Sequence, residues 1–297
     1  MERKTFMKIF VAGVKGQLGR EVAEYCKSAD IACIGMDLPE FDIVDLDKVL
    51  SIVKDIKPDV IYNCAAYTAV DLSEKEYRKA FLVNGLGARN IALAARRNSA
   101  IIVHISTDAV FDGEKNTPYR EYDFVNPVNA YGASKLYGEI LLKEQNPEHY
   151  ILRTSWLYGE YGSNNFVTAI RKNAVRAADR HEPLKVVNDQ KGTPTWTRDL
   201  VRQSFKLMET GEFGTYHCTN NGWCTWFDFA KEIVSAFKID VKLEPCSTAD
   251  YLFSIAKRGR ISILENFNLS IRDLDIMLDW KEAFREYCKS TRSKKAA

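Results

Sequence analysis

Two side chains that could move a proton stand four residues apart near the middle of the chain. Tyr131 and Lys135 share one face of a predicted helix, Tyr131–Glu144. A free tyrosine has a pKa of about 10, which is too high for acid–base work at neutral pH. A neighbouring cation favours the phenolate and lowers that pKa. The pair therefore predicts proton transfer to or from an oxygen, with Lys135 lowering the pKa of Tyr131.

A hydroxyl follows the strand that precedes this helix. Thr107 comes directly after the predicted strand Ile101–Ile105 and Ser106, and it could hold a carbonyl or alcohol oxygen beside Tyr131. Ser106 is the competing hydroxyl, whereas His104 is expected to be a core histidine. Catalytic groups of parallel α/β sheets gather at the carboxyl ends of strands. A hydroxyl at this strand end, from Thr107 or Ser106, is therefore expected beside Tyr131 and Lys135.

A glycine-rich turn leads into the first predicted helix. The turn is Gly13-Val14-Lys15-Gly16-Gln17-Leu18-Gly19, and it directly follows the predicted strand Lys8–Ala12. Such glycines allow a tight turn, let the backbone approach a pyrophosphate and let the helix pack on the strand. The N–H groups at the helix N-terminus then face the phosphates. The pattern predicts a dinucleotide-binding site.

A carboxylate at the end of the second predicted strand fits the same ligand. Asp37 lies where an acidic residue binds the adenosine ribose of a dinucleotide. Its charge should repel a 2′-phosphate, which favours NADH. NADPH stays open, because a neighbouring cation could compensate for that charge.

The elements that must position these residues alternate along the first half of the chain. Short apolar runs without polar alternation indicate strands buried on both faces, and helical patterns between them predict a parallel sheet. Beyond about residue 155 glycine, asparagine, threonine and aromatic residues become more frequent. The predicted strands are Lys8–Ala12, Ile31–Met36, Val60–Asn63, Ile101–Ile105, Tyr150–Thr154 and Leu184–Val187. The predicted helices are Gln17–Lys27, Leu46–Ile56, Glu74–Arg97, Tyr131–Glu144, Phe166–Ala178, Trp196–Met208, Trp226–Phe237 and Trp280–Tyr287.

This order predicts an α/β fold, a Rossmann-like doubly wound parallel sheet with a smaller C-terminal substrate-binding domain. Residues 1–155 would form the NAD(P)-binding domain, and elements within 166–190 would return to its sheet. Residues 156–289 would form the substrate-binding portion, and 290–297 a frayed tail.

Composition excludes several classes of protein. The 297 residues are 46% hydrophobic and 28% charged, enough for a sizeable core. A net charge of +2 lacks the basic excess of a nucleic-acid-binding protein. The seven cysteines show no C-x-x-C spacing, which argues against a disulfide framework or a zinc site. No apolar run approaches the roughly 18 residues of a membrane span. We predict a cytoplasmic protein with no nucleic-acid, membrane or metal partner.

These motifs together resemble the extended short-chain dehydrogenase/reductase family, and within it the reductases of dTDP-4-dehydrorhamnose. The resemblance runs from about Met7 to Tyr287. Besides the segments above, it rests on Phe41–Ile43, Asn63–Asp71, Ser106–Asp108, Val110–Gly113, Arg153–Gly159, Asn164–Phe166, Asn188–Gln190, Gly192–Thr195 and Thr225–Phe229.

The resemblance implies NADH or NADPH as cofactor and a dTDP-linked 4-keto-6-deoxyhexose as substrate, reduced at C4. It implies a homodimer as an open possibility, because some members dimerise around a divalent cation. By position, the cofactor-binding residues would be Gly13, Gly16, Gln17, Leu18, Gly19, Asp37, Asp42, Ile43, Ala66, Tyr67, Thr68, Ile105, Tyr131 and Lys135. The catalytic residues would be Thr107, Tyr131 and Lys135. The substrate-binding residues would be Thr107, Asp108, Trp156, Asn165, Gln190 and Arg258.

Three departures from the family pattern bear on the substrate. Ala109 stands where a tyrosine is usual, which would enlarge the pocket beside Thr107. Leu72 replaces a common lysine. The segment from Thr248 to Arg258 lacks the usual prolines, although Arg258 is present.

Two other functions stay open. One is a different nucleotide-sugar enzyme of the same fold, an epimerase or a reductase of another keto-sugar. The other is a non-catalytic subunit that only recognises a nucleotide, as relatives do within methionine adenosyltransferase. The presence of Thr107, Tyr131 and Lys135 favours a catalyst.

Overall fold

The computed structural model describes residues 7–162, 164–250 and 255–296, with side chains described through residue 292. The strands are β1 (Lys8–Ala12), β2 (Ala32–Met36), β3 (Val60–Asn63), β4 (Ile101–Thr107), β5 (His149–Thr154), β6 (Leu157–Tyr158), β7 (Leu184–Val187), β8 (Lys191–Gly192), β9 (Thr195–Trp196), β10 (Gly214–His217), β11 (Cys224–Thr225) and β12 (Leu243–Cys246). The helices are α1 (Gln17–Ser28), α2 (Leu46–Ile56), α3 (Val70–Lys75), α4 (Tyr77–Ala80), a π-helical segment (Phe81–Gly87), α5 (Ala88–Arg97), a 3₁₀ turn (Asp108–Val110), α6 (Ala130–Gln145), α7 (Phe166–Asp179), α8 (Thr197–Met208), α9 (Trp226–Ala236), α10 (Phe267–Ser270) and α11 (Trp280–Ala296).

Six strands form one parallel sheet in the order β2-β1-β3-β4-β5-β10. From β1 the chain passes to β2 on one side and then to β3 on the other side of β1. In open α/β sheets, a ligand crevice forms at such a reversal, beyond the carboxyl ends of the strands. The predicted doubly wound parallel sheet is therefore confirmed.

Both faces of this sheet are buried at its inner strands, as β1 shows. Ile9 and Val11 join a core with α1 and α8, while Phe10 and Ala12 join a second core with α2 and α5. Because neighbouring side chains of a strand point to opposite faces, a strand covered on both sides needs apolar residues at every position. This double burial explains the unbroken apolar runs in the sequence.

A third apolar core lies beneath α7, α9 and α11. Tyr158, Trp196, Phe229 and Phe284 are buried in it and make several aromatic contacts. Three short strand pairs accompany this half of the chain, β6 with β9, β7 with β12, and β8 with β11. Across the described ranges, no helix is long and apolar enough to cross a membrane.

The prediction that elements within 166–190 return to the main sheet is wrong. The strand Leu184–Val187 forms as predicted, but it pairs with β12 in a separate two-stranded sheet. The sixth strand of the main sheet is β10, which pairs with β5. Gly214–His217 is short and mixes glycine, threonine and histidine, so it lacks the apolar run that reveals a central strand.

Two helix predictions also need correction. The predicted helix Glu74–Arg97 is divided into the end of α3, α4, a π-helical segment and α5, with two glycines inside the π-helical segment. The predicted frayed tail from residue 290 is instead the end of α11, which continues to Ala296. Ser290 ties this end to the fold, because its hydroxyl donates to Glu160 Oε1 at 2.6 Å.

Candidate active site

A cavity of about 580 Å³ opens beyond the carboxyl ends of β1, β3, β4 and β5. We call it the sheet-end cavity. Residues from four separate strand ends line it, together with the start of α6. The predicted residues among its lining are Gly16, Gln17, Leu18, Gly19, Ala66, Thr68, Ile105, Thr107, Asp108, Tyr131, Lys135 and Trp156. The structure thus brings the predicted cofactor turn and the predicted catalytic residues to one place.

The glycine turn has the shape that a dinucleotide pyrophosphate requires. Gly13 has φ +84°, and a Cβ on it would lie 2.7 Å from the Ala65 backbone nitrogen. A Cβ on Gly19 would lie 2.2 Å from the Gly13 carbonyl oxygen, so the helix can approach the strand only with glycine there. Gly16 begins α1 without a side-chain cap, and the first turn has no acidic residue. Its N–H groups are therefore left for an anion, and these residues fit the cofactor.

Asp37 lies beside this turn and has a cation next to it. Its carboxylate accepts hydrogen bonds from the backbone N–H groups of Lys15 (2.9 Å) and Leu38 (2.8 Å). The Lys15 ammonium donates to the Leu38 carbonyl at 2.7 Å and lies 3.4 Å from Glu40 Oε2. Lys15 is thus a neighbouring cation of the kind that could compensate for the negative charge of Asp37, so binding of NADPH stays compatible with this site.

Thr107 and Tyr131 form the reacting edge of the cavity. The Thr107 hydroxyl donates to Asp108 Oδ1 at 2.9 Å and accepts from the Ala109 N–H at 3.1 Å. Burial raises the pKa of Tyr131 to about 12, although a hydrogen bond with Thr107 lowers it. Burial also raises the pKa of Asp108 to about 6. Tyr131 is therefore a neutral phenol at neutral pH, which suits a proton donor.

Lys135, which is predicted to lower the pKa of Tyr131, is held against the end of β4. Its ammonium donates to the Ile105 carbonyl oxygen at 2.5 Å and lies 3.4 Å from His104 Nε2. Burial lowers the pKa of Lys135 to about 8, against the nearby Glu139 carboxylate, which raises it. Burial is the largest cause that acts on the pKa of Tyr131, and the lowering of that pKa by Lys135 stays a prediction.

A buried ion pair beneath Lys135 is missing from the sequence predictions. Arg153 binds Glu139 twice, with Nε 3.0 Å from Oε1 and Nη2 2.7 Å from Oε2. The Ser106 hydroxyl also donates to Glu139 Oε1, at 2.5 Å. Ser106 thus faces the ion pair, and Thr107 is the hydroxyl beside Tyr131. The sequence contains a signal for a carboxylate near Lys135, because Glu139 follows Lys135 by four residues on the same helix face.

A second missed residue fixes the loop after β3. Asn84, in the π-helical segment, accepts from the Tyr67 N–H (2.8 Å) and donates to the Tyr67 carbonyl (3.0 Å). It also donates to the Ser134 hydroxyl at 2.9 Å. The Tyr67 side chain points away from the cavity, donating to Glu76 Oε2 at 2.9 Å. Ala66 and Thr68 therefore line the cavity, and Tyr67 does not.

Five further predicted residues lie outside the lining of the sheet-end cavity, namely Gly13, Asp37, Asp42, Ile43 and Asn165. Asp42 accepts from the Val44 N–H at 2.9 Å, and Ile43 is buried in the sheet core. Asn165 caps α7 by accepting from the Thr168 N–H at 3.0 Å. Its amide donates to Gln17 Oε1 at 2.7 Å, so Asn165 braces the glycine turn.

Gln190 and Arg258 line a different cavity, of about 340 Å³. We call it the loop cavity. Gln190 accepts from the Trp226 indole N–H at 3.1 Å and donates to the Thr248 hydroxyl at 3.0 Å. The ring of Trp226 stacks on Trp156, with centroids 3.4 Å apart. Because Trp156 lines the sheet-end cavity and Trp226 the loop cavity, the stacked pair connects the two linings.

Arg258 is held at the loop cavity by an acidic residue for which the sequence motifs predicted no binding role. Asp71, at the start of α3, lies 2.9 Å from the Arg258 guanidinium through Oδ2. Its Oδ1 accepts from the N–H groups of Ile255 and Ala256, each at 2.9 Å. Ile255, Ala256 and Arg258 are therefore tied to α3 by the Asp71 carboxylate.

Comparison with known proteins agrees with this geometry. The family model of the RmlD substrate binding domain matches residues 7–293. The chain belongs to this family. The resemblance predicted from the sequence motifs is thereby confirmed.

Relatives within the RmlD family share most of their length with this chain. A dTDP-4-dehydrorhamnose reductase of Aggregatibacter actinomycetemcomitans is 40% identical over 271 residues, 87% of this chain and 90% of the relative. The crystal structure of a Clostridium acetobutylicum dTDP-4-dehydrorhamnose reductase has a TM-score of 0.91 at 45% identity, covering 96% of this chain and 100% of that chain. The Bacillus anthracis dTDP-4-dehydrorhamnose reductase, solved in complex with NADP, has a TM-score of 0.90 at 38% identity, covering 96% and 99%.

Proposed function

We propose that this protein is an NAD(P)H-dependent oxidoreductase that reduces the C4 keto group of dTDP-4-dehydro-L-rhamnose to give dTDP-L-rhamnose. One observation carries the proposal: the neutral phenol of Tyr131 lies beside Thr107 in the same cavity as the glycine turn. The reductases that match nearly the whole chain support it.

The cofactor would be held by residues that line the sheet-end cavity and its rim. The first-turn N–H groups of α1, after Gly16, would bind the pyrophosphate, and Asp37 would bind the adenosine ribose. Ala66, Thr68 and Ile105 would lie on the nicotinamide side. The reduced nicotinamide supplies a hydride when bound. The Bacillus anthracis relative binds NADP, and NADH and NADPH both remain candidates for this chain.

Tyr131 supplies the proton that completes the reduction. As the C4 carbon accepts the hydride, negative charge develops on the carbonyl oxygen. Tyr131 donates its phenolic proton to that oxygen, and the product is the C4 alcohol. The Thr107 hydroxyl holds the oxygen in place, and the tyrosine recovers its proton from water. Lys135, largely cationic at neutral pH because its pKa is about 8, would stabilise the phenolate left behind.

The two cavities would divide the substrate between them. The sugar would lie against Thr107, Asp108 and Trp156 in the sheet-end cavity. The nucleotide would extend past the stacked tryptophans toward Gln190 and Arg258 in the loop cavity. Ala109, where the family usually has a tyrosine, would leave more room beside the sugar.

Four further features of the protein stay predictions. These are the cytoplasmic location, the absence of a nucleic-acid partner, the homodimer and the division of the chain near residue 155. Light scattering on the purified protein would measure the oligomeric state directly.

A stoichiometric assay tests the proposed function. Purified protein, NADPH or NADH and dTDP-4-dehydro-L-rhamnose are mixed, and cofactor oxidation is compared with the sugar product. One oxidised cofactor per dTDP-L-rhamnose is expected. Conversion of a nucleotide sugar without net cofactor oxidation would indicate an epimerase, and cofactor binding without any turnover would indicate a binding subunit. Either result would contradict the proposal.

A further inference from the structure

His104 lies between two polar side chains beneath the sheet-end cavity, although the sequence predicts only a core histidine. Its Nε2 is 3.4 Å from the Lys135 ammonium, and its Nδ1 is 3.0 Å from the side-chain amide of Asn63. All three side chains are buried. Burial and the Lys135 charge hold the pKa of His104 well below 6.5, so the ring is neutral.

The hydrogen-bonding chemistry of these groups fixes the tautomer of the ring. A neutral imidazole has one N–H donor and one acceptor nitrogen, whereas a lysine ammonium only donates. Nε2 must therefore accept from Lys135, and the ring proton lies on Nδ1. The Nδ1–H in turn needs an acceptor on Asn63.

Asn63 can provide that acceptor. Its Oδ1 has no hydrogen-bond partner within the described part of the chain, while its Nδ2 faces Nδ1. The two ends of a side-chain amide have nearly the same shape, so hydrogen-bond partners decide which end points where. A half-turn of the amide places Oδ1 against Nδ1–H and removes a contact between two donors.

We propose that His104 is a positioning residue for Lys135. Held by Asn63 as the Nδ1–H tautomer, it accepts a hydrogen bond from the Lys135 ammonium and keeps the lysine at the Ile105 carbonyl. The inference deepens the proposed function and rests on it, because Lys135 matters to the reaction only if the chain is the reductase.

Loss of this acceptor should be visible in the charge of Lys135. Glu139 on α6 and Cys64 after β3 also face the lysine, and His149 faces His104. These groups stay in place when His104 is replaced. A buried ammonium that loses one acceptor is less stable. In a variant without this acceptor, the pKa of Lys135 should therefore fall below its wild-type value of about 8. Activity would then decline at a lower pH on the alkaline side.

Two matched variants separate the two ring nitrogens. In His104→Gln the amide oxygen can reach the position of Nε2, whereas in His104→Asn the shorter amide reaches only that of Nδ1. We expect His104→Gln to keep kcat within about threefold of wild type. We expect His104→Asn to lose about tenfold or more, with an alkaline decline displaced to lower pH. Equal kcat values and equal pH profiles for the two variants would overturn the inference.

The tautomer can be read without turnover. In a ¹⁵N NMR spectrum of the wild-type protein, the His104 signals are assigned by their absence from either His104 variant. A protonated Nδ1 and an unprotonated Nε2 are expected, and an Nε2–H ring would overturn the inference. Because this spectrum requires no reaction, an inactive wild-type protein with the expected tautomer would count against the proposed function alone.

Discussion

Two ion pairs of the same chemical type support the two cavities, and they differ in burial. Glu139 and Arg153, beneath the sheet-end cavity, are 1% and 4% exposed, whereas Asp71 and Arg258, at the loop cavity, are 36% and 38% exposed. The buried pair joins a central strand to α6, and the exposed pair joins a loop to α3. A buried charge that loses its partner is far more costly than an exposed one. We therefore expect the buried pair to hold the fold and the exposed pair to adjust substrate binding.

The largest effect should come from the reacting group of the sheet-end cavity. Tyr131→Phe removes the proton donor but keeps the ring, so kcat should fall by about 10²–10⁴-fold. Binding of NADPH, followed by its fluorescence, should change little. Parental turnover in Tyr131→Phe would show that the proton comes from another group.

The buried ion pair should dominate stability. Glu139→Ala leaves the Arg153 guanidinium buried without its carboxylate, which should cost about 3–5 kcal/mol in the free energy of unfolding. Urea denaturation measures this loss. Glu286→Ala is the matched control, because it breaks an exposed pair with Lys289 on α11 and should cost less than about 1 kcal/mol. Equal losses in the two variants would remove the contrast between buried and exposed pairs.

A buried histidine near the Glu139–Arg153 pair should also carry much of the pH dependence of stability. His217 lies near Arg153, and burial lowers its pKa to about 3. Since the unfolded chain protonates this histidine near pH 6.5 and the folded chain does not, its contribution is present above that pH and is lost as the pH falls. Between about pH 7.5 and 5.5 the loss should be roughly 1.4 kcal/mol.

Asp108 has a raised pKa, so its contribution to stability changes with pH in the opposite direction to that of His217. Variants of single histidines therefore separate the His217 contribution from it. The change in unfolding free energy between the two pH values should shrink in His217→Gln. It should stay as in wild type in His181→Gln, since His181 is exposed. An unaltered pH dependence in His217→Gln would mean that this histidine is protonated to the same extent in the folded and unfolded chains, which would contradict its lowered pKa.

The smallest effect should come from the loop cavity. Asp71→Ala removes the carboxylate that holds Ile255, Ala256 and Arg258, so the KM for the nucleotide sugar should rise by about five- to tenfold. Stability should change by less than about 1 kcal/mol, and kcat should stay near the parental value.

Glu114→Ala is the control for this segment, because Glu114 lies 3.9 Å from Lys257 in another exposed pair. It should leave the KM unchanged. A loss of kcat in Asp71→Ala with an unchanged KM would place Asp71 with the catalytic support instead.

The inner strands of the main sheet were easier to predict from the sequence than the elements that depend on distant contacts. The strands β1, β3, β4 and β5 were predictable because double burial requires unbroken apolar runs. The strand β10 was not, because its four residues carry little apolar signal and their place depends on pairing with β5.

The site shows the same division. Residues at the carboxyl ends of strands, such as Thr107 and the glycine turn, were predictable because parallel strands all end at one edge of the sheet. The Glu139–Arg153 pair was not predicted, because its burial depends on how α6 packs against β5. The role of Asp71 was not predicted, because its partners lie more than 180 residues away in a loop.

In the proposed reaction the bound cofactor supplies a hydride to C4 of the sugar, and Tyr131 supplies the proton. This transfer can be followed with NADPH that carries deuterium at the transferable position, by mass spectrometry and NMR of the product. One deuterium per sugar, bonded to C4, is expected. A product without deuterium, or with deuterium at another carbon, would contradict the proposed reaction.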